Sequence, residues 1–171
     1  MDVFLVRKLG VPGEEELALG ALASGGVRVL NQELIDYLRI SDAVIEEVTA
    51  REQRVLEERE LLYREGRARL PIRGRTVVLV DDGLATGASM LAAARALRPS
   101  GAAKVVIAVP VAPPESCQDL RREADQVICA VTPHPFGAVG LWYEDFSQVT
   151  DDQVRKLLET ATQMAAETRR H

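Results

Sequence analysis

Apolar residues form short continuous blocks in the second half of the chain and scattered positions in the first. Thr76 to Val80 is a β-branched block, and Lys104 to Val109 and Gln126 to Val131 repeat the pattern. Between them lie an alanine-rich stretch from about Gly87 to Leu97 and a segment from Pro113 to Ala124. Short apolar runs bounded by turn residues read as buried strands, and the longer stretches as helices. Proline is tolerated in a helix's first turn, while Pro99 and Gly101 stop the alanine-rich helix. Strand, helix, strand, helix, strand predicts an α/β fold whose parallel sheet is covered on both faces. Asp151 to about Glu167 predicts a terminal helix.

The first half reads differently. Val3 to Val6 is a short apolar run, a predicted buried strand. Arg7 to Glu16, rich in Gly, Pro and Glu, predicts a mobile loop. Leu17 to Ala23 and Val27 to Leu30 predict two strands, with Ser24-Gly25-Gly26 as the hairpin turn. Ser41 can cap a long helix reaching about Glu65, with Gly66 as its stop. Val44, Val48, Val55 and Leu62 mark its predicted apolar face. Glu47/Arg51 and Glu60/Arg64 stand at the spacing of exposed i,i+4 pairs. Arg51 and Arg59 interrupt the stripe, which points to contact with a partner element.

Length and composition narrow the class. A chain of 171 residues, 47% hydrophobic and 27% charged, predicts one packed domain over 1–171. A net charge of -5 without a clustered basic face argues against nucleic acid as a partner. It leaves room for a phosphorylated small ligand, because a nest of backbone amides binds phosphate on an acidic protein. Cys117 and Cys129 do not make a disulfide framework. No further cysteine or paired histidine stands at metal-ligand spacing, so no protein metal centre is expected. Met1 to Lys8 lacks the apolar stretch of a signal peptide, and no apolar run reaches membrane-spanning length. A cytoplasmic location without membrane contact is the expectation.

The chemistry concentrates in Val77-Val78-Leu79-Val80-Asp81-Asp82-Gly83-Leu84-Ala85-Thr86-Gly87-Ala88-Ser89. An apolar strand ends in two adjacent carboxylates, a turn follows, and Thr-Gly-Ala-Ser opens a helix. Ligands of open α/β sheets bind beyond the carboxyl ends of the strands. The first amides of a helix are unpaired donors at the positive end of its dipole. Thr86 and Ser89 add hydroxyls, Gly87 admits close approach to a phosphate, and Asp81 and Asp82 can accept hydrogen bonds from sugar hydroxyls. A phosphate cradle beside a polyol clamp suits a ribose 5-phosphate. The string is neither a Walker A loop nor a Rossmann fingerprint. The bland alternative is a capped strand-to-helix turn with two solvated aspartates.

This string resembles the signature of type I phosphoribosyltransferases: an apolar strand, two acidic residues, a variable turn, then Thr-Gly and a small hydroxyl residue. The resemblance implies an α/β, parallel-sheet phosphoribosyltransferase type I fold with flanking helices and a small hood. It assigns Asp81 and Asp82 to the ribose hydroxyls, and Ala85, Thr86, Gly87, Ala88 and Ser89 to the 5-phosphate. Lys8, in Val6-Arg7-Lys8, resembles the family's basic contact to pyrophosphate; a solvated lysine is the alternative. The stretch from Phe136 to Phe146 is similar to that of purine-type members, where Phe136 would stack on the base and Asp145 would lie near it. An aromatic cluster closing the core is the alternative there, and the Gly140 to Asp145 spacing is one residue longer than the family's.

The wider order, from Arg7-Lys8-Leu9-Gly10 through the Ser41 helix, resembles stand-alone bacterial phosphoribosyltransferase-domain proteins. The family's N-terminal helix, strand and Arg-Gly-Gly pyrophosphate loop have no counterpart before Val3. The expectation is a domain shortened at its front, with open sheet edges, whether naturally reduced or started inside a longer reading frame. The resemblance implies Mg²⁺ as cofactor, phosphoribosyl pyrophosphate and a small base as partners, and a homodimer. The loop from Gly10 to Glu16 would close over the site. His134, between Pro133 and Pro135, and His171 are not needed. Two alternatives stand beside the enzyme: a non-catalytic module sensing phosphoribosyl pyrophosphate or a nucleotide, and an inert fragment of a longer enzyme.

Overall fold

The computed structural model describes residues 1–168; His171 lies outside them. The first sheet is antiparallel and contains β1 (Val6–Val11), β2 (Glu14–Ala23) and β3 (Val27–Leu30) in that order. The Ser24-Gly25-Gly26 hairpin joins β2 to β3 with Ala23 opposite Val27, as predicted.

The predicted loop over residues 7–16 is instead a second hairpin, turning at Pro12-Gly13. Its register shifts on both sides of Gly10. Leu9 and Val11 drive this pairing, since they enter a core with Leu19, Leu22, Ile35, Ile45, Val48 and Leu56. Arg7 is tolerated in β1 because its guanidinium donates to Glu52 at 2.7 Å. A closing loop is therefore not what residues 10–16 form.

Helix α1 (Gln32–Leu38) was not predicted. It is short, it buries Ile35, and the Asn31 side chain accepts from the Leu34 amide at 3.2 Å. Helix α2 (Asp42–Arg64) follows Ser41, and the chain leaves it in the left-handed conformation at Glu65. Its buried stripe keeps Val48 from the predicted one, with Val44 and Val55 half-buried, but departs from it elsewhere. Ile45, Val48, Glu52, Leu56, Glu60, Tyr63 and Arg64 are buried, whereas Leu62 is exposed. Glu60 and Arg64 thus do not form an exposed pair. Arg64 binds the Asp2 carboxylate and the Val3 carbonyl, and Glu60 pairs with Arg69. Charged positions can line a buried stripe when each finds an opposite charge and a hydrogen bond. Arg51, one of the two interruptions, pairs with its neighbour Glu52 at 3.1 Å.

The second sheet is parallel, in the order β4 (Thr76–Val80), β5 (Lys104–Val111), β6 (Gln126–Val131). Helices α3 (Ala88–Leu97) and α4 (Pro114–Leu120) make the two crossovers. Both crossovers step the same way across the sheet, and right-handed connections then put both helices on one face. That face packs Leu79, Val105, Ile107 and Val109 against Met90, Ala94, Leu97, Cys117 and Leu120. The other face is open: Val78 is 54%, Val80 73% and Ile128 46% exposed. The expectation of cover on both faces is corrected accordingly.

Helix α3 also touches β1, β2 and β3, so it lies between the two sheets. Buried Ala92, Ala93, Ala94 and Ala96 explain how it does so. Small side chains around the helix let both sheets approach it, and a helix apolar all round is a buried one. After β6 comes an irregular segment with a short 3-10 turn at Val139–Trp142, then α5 (Asp151–Thr168), which packs on α2. Tyr63 donates to Asp151 at 2.7 Å across that contact. No helix among the described residues is long and apolar enough to cross a membrane.

Candidate functional site

Strand β4 ends at Val80 and delivers Asp81 and Asp82 to the carboxyl edge of the parallel sheet, both exposed. The Asp82 amide donates to Asp81 Oδ1 at 3.0 Å. Desolvation raises the Asp81 pKa; this amide hydrogen bond opposes the rise and the Asp82 charge adds to it. The carboxylate keeps lone pairs that a ligand hydroxyl can satisfy.

The chain then turns under close packing. A Cβ on Gly83 would lie 2.7 Å from Val139 Cγ1 and 3.0 Å from the Val111 carbonyl oxygen, so only glycine fits without a shift. The Leu84 amide donates to that same carbonyl at 3.0 Å, pinning the turn to the end of β5. Ser116 of α4 donates its hydroxyl to the Ala85 carbonyl at 2.8 Å. Gly87, at φ +73°, is the N-cap of α3 and takes a conformation that other residues rarely adopt. The Thr86 hydroxyl oxygen lies 3.4 Å from the Ala88 amide. The Leu84 amide and the Ala85 carbonyl of this loop therefore turn inward, to β5 and α4 respectively. Ala85, Thr86, Ala88 and Ser89 remain exposed at the positive end of α3. This is the geometry of an anion cradle set beside two carboxylates.

The segment after β6 folds over the same edge. Tyr143 donates its hydroxyl to the Asp82 carbonyl at 2.6 Å, and its ring lies 5.3 Å from that of Phe146. Trp142 Nε1 donates to the carbonyl of half-buried Phe136 at 3.1 Å. Asp145 accepts from the Ser147 amide at 2.9 Å, and hydrogen bonds from Ser147 lower its pKa. His134 is exposed, as predicted.

The structure thus brings together Asp81, Asp82 and the loop over residues 85–89, and ties the Phe136 to Phe146 segment to them through Tyr143. Lys8 comes from the other sheet, exposed on β1 opposite Ala21. Three contributors escaped sequence reasoning: Tyr143, Ser116 and Trp142. Tyr143 and Ser116 act over 61 and 31 residues of chain, so no local pattern announces them. A separate concavity at the end of α2 is lined by Glu57, Glu60, Leu61, Arg64 and Arg67. Its charged groups already serve the ion pairs and hydrogen bonds of that helix, and the loop contributes nothing to it.

A family model described as the phosphoribosyl transferase domain matches residues 7–145. Two Mycobacterium tuberculosis proteins, "Putative phosphoribosyl transferase Rv0571c" of strain ATCC 25618 / H37Rv and "Putative phosphoribosyl transferase MT0597" of strain CDC 1551 / Oshkosh, are each 43% identical over 167 residues. The match takes in 98% of this chain and 38% of each of theirs, so the chain spans well under half the length of these curated relatives. The crystal structure of TT1426 from Thermus thermophilus superposes with a TM-score of 0.80 at 46% identity, over 92% of this chain and 74% of that one.

Proposed function

The chain belongs to the phosphoribosyl transferase domain family, and from that premise we propose that it moves the 5-phosphoribosyl group of phosphoribosyl pyrophosphate to a nucleobase-like acceptor and releases pyrophosphate. The observation that carries this reading is the continuous run from the Asp81–Asp82 pair into the Gly87 cap of α3, anchored from below by Ser116. In it, Asp81 and Asp82 accept hydrogen bonds from the ribose hydroxyls. Residues Ala85, Thr86, Gly87, Ala88 and Ser89 hold the 5-phosphate. Lys8 reaches pyrophosphate, Phe136 stacks on the base, and Asp145 stands near it with one oxygen occupied by Ser147. The two sheets share α3, which supports treating residues 1–171 as one unit.

The bond from ribose C1 to pyrophosphate oxygen breaks as the acceptor nitrogen bonds to C1. Positive charge develops on the ribose, beside the carboxylates of Asp81 and Asp82. Orientation and electrostatics supply the acceleration, and no covalent nucleophile is required. The donor set is two adjacent carboxylates without sulfur or nitrogen ligands, which fits Mg²⁺ held largely by ligand oxygens and water; when bound it neutralises charge on the leaving group. The same reading makes the protein a cytoplasmic homodimer.

Calorimetric titration with phosphoribosyl pyrophosphate, with and without Mg²⁺, tests it. The wild-type chain should bind in a Mg²⁺-dependent way, and Asp81→Asn/Asp82→Asn should weaken binding by about a hundredfold or more, two charge-assisted contacts being lost. Equal affinity in the two proteins would refute the assignment of the carboxylates.

A further inference from the structure

We propose that Cys117 and Cys129 form a thiol–disulfide modification site that locks the floor of the phosphate loop. The two are bonded in the structure, with Cα atoms 6.8 Å apart. They are the chain's two cysteines. Cys117 is on α4 and buried; Cys129 is on β6 and partly exposed.

The location matters more than the bond. Helix α4 buries three residues: Ser116, Cys117 and Leu120. Ser116 holds the Ala85 carbonyl, and Leu120 packs beneath Gly87, 3.7 Å from where a side chain there would begin. Cys117 lies between these two contacts and binds the sheet. Helix α4 has seven residues and no side-chain hydrogen bond at its N-cap, and helices this short do not hold themselves. A covalent tie from α4 to β6 therefore fixes the platform on which residues 85–87 rest.

The chemistry is exchange with a small-molecule disulfide, R–S–S–R. The Cys129 thiolate attacks one sulfur, forming a mixed disulfide and expelling one thiolate. Cys117, deprotonated, then attacks the Cys129 sulfur and expels the second. The cysteine pair loses two electrons and two protons, and two R–SH leave. A dithiol reductant reverses the sequence. The effect on ligand affinity rests on the phosphoribosyl reading; the effect on the loop does not.

The test compares the full chain oxidised with glutathione disulfide and reduced with a phosphine. Mass mapping follows the thiols, hydrogen exchange follows the peptide over residues 84–90, and calorimetry follows ribose 5-phosphate. Oxidation should consume both thiols, slow exchange in that peptide about fivefold or more, and tighten ribose 5-phosphate by a similar factor. Cys117→Ser/Cys129→Ser should match the reduced chain under both conditions; if that variant does not fold, the reduced wild-type chain provides the same comparison. Thiols that persist after oxidation, or equal exchange in the two states, would overturn the lock. Slower exchange without ribose 5-phosphate binding in either state would uphold the lock and sink the phosphoribosyl reading instead.

Discussion

The two sheets sit on opposite sides of α3 and treat charge in opposite ways. Around the antiparallel sheet, α2 turns Glu52, Glu60 and Arg64 inward, and Arg7, Asp2 and Arg69 arrive from other segments to pair with them. The core of the parallel sheet contains no ionised side chain among the described residues. There the carboxylates of Asp81 and Asp82 stand at the strand end, in reach of solvent. Charge in the first half selects which distant segments meet. Charge in the second half is kept for a ligand. If that contrast is right, the parallel half should depend on packing and the antiparallel half on pairing.

The largest effect should come from the parallel core. Ile107 is fully buried in the central strand β5. Ile107→Ala should cost about 2–5 kcal/mol, the transfer of the lost methylenes plus the cavity left behind. Urea unfolding measures it, and a loss below about 1 kcal/mol would mean this core is looser than it looks.

A smaller effect should appear on α2. Glu60→Gln keeps the shape of the side chain and removes its charge, leaving Arg64 and Arg69 with a weaker acceptor. Arg64 keeps Asp2, and Arg69 is half exposed, so the expected loss is about 1–2 kcal/mol rather than the full cost of an orphaned buried charge. A loss equal to that of Ile107→Ala would erase the distinction between the halves.

The same contrast explains what could be read from the sequence. The parallel half was legible because its signals are local: β-branched blocks, an alanine-rich helix, and a site whose residues run without interruption from Asp81 to Ser89. Strand β1 was not, because Arg7, Lys8 and Gly10 do not resemble a strand until Glu52, forty-five residues on, accepts the arginine. The stripe of α2 was only partly legible because its buried positions include two glutamates and an arginine. Tyr143 on the Asp82 carbonyl, Ser116 on the Ala85 carbonyl and the Cys117–Cys129 bond are tertiary contacts with no periodic trace. The bare face of the parallel sheet follows from strand order and handedness, which apolar blocks alone do not encode.

The smallest effect concerns the sign of two pH dependences. Burial alone would raise the Glu52 pKa, but hydrogen bonds from Arg7 and Arg51 and their positive charge outweigh it, and the pKa is lowered. The folded chain then binds that proton less tightly than the unfolded chain. Glu52 contributes stability above the ordinary carboxyl range and loses it as pH falls through the lowered value. Asp81 behaves oppositely, because desolvation raises its pKa. The folded chain holds that proton more tightly, so stability falls as pH rises from the ordinary carboxyl value to the raised one. Glu52→Gln should therefore lower Tm at about pH 7 and lose effect toward about pH 3, whereas Asp81→Asn should raise Tm slightly at about pH 7 and do little at about pH 3. Thermal unfolding of both variants at the two pH values decides it. Shifts of the same sign at neutral pH would show that Asp81 is held by the fold as Glu52 is, and that the carboxylate at the end of β4 is structural rather than reserved for a ligand.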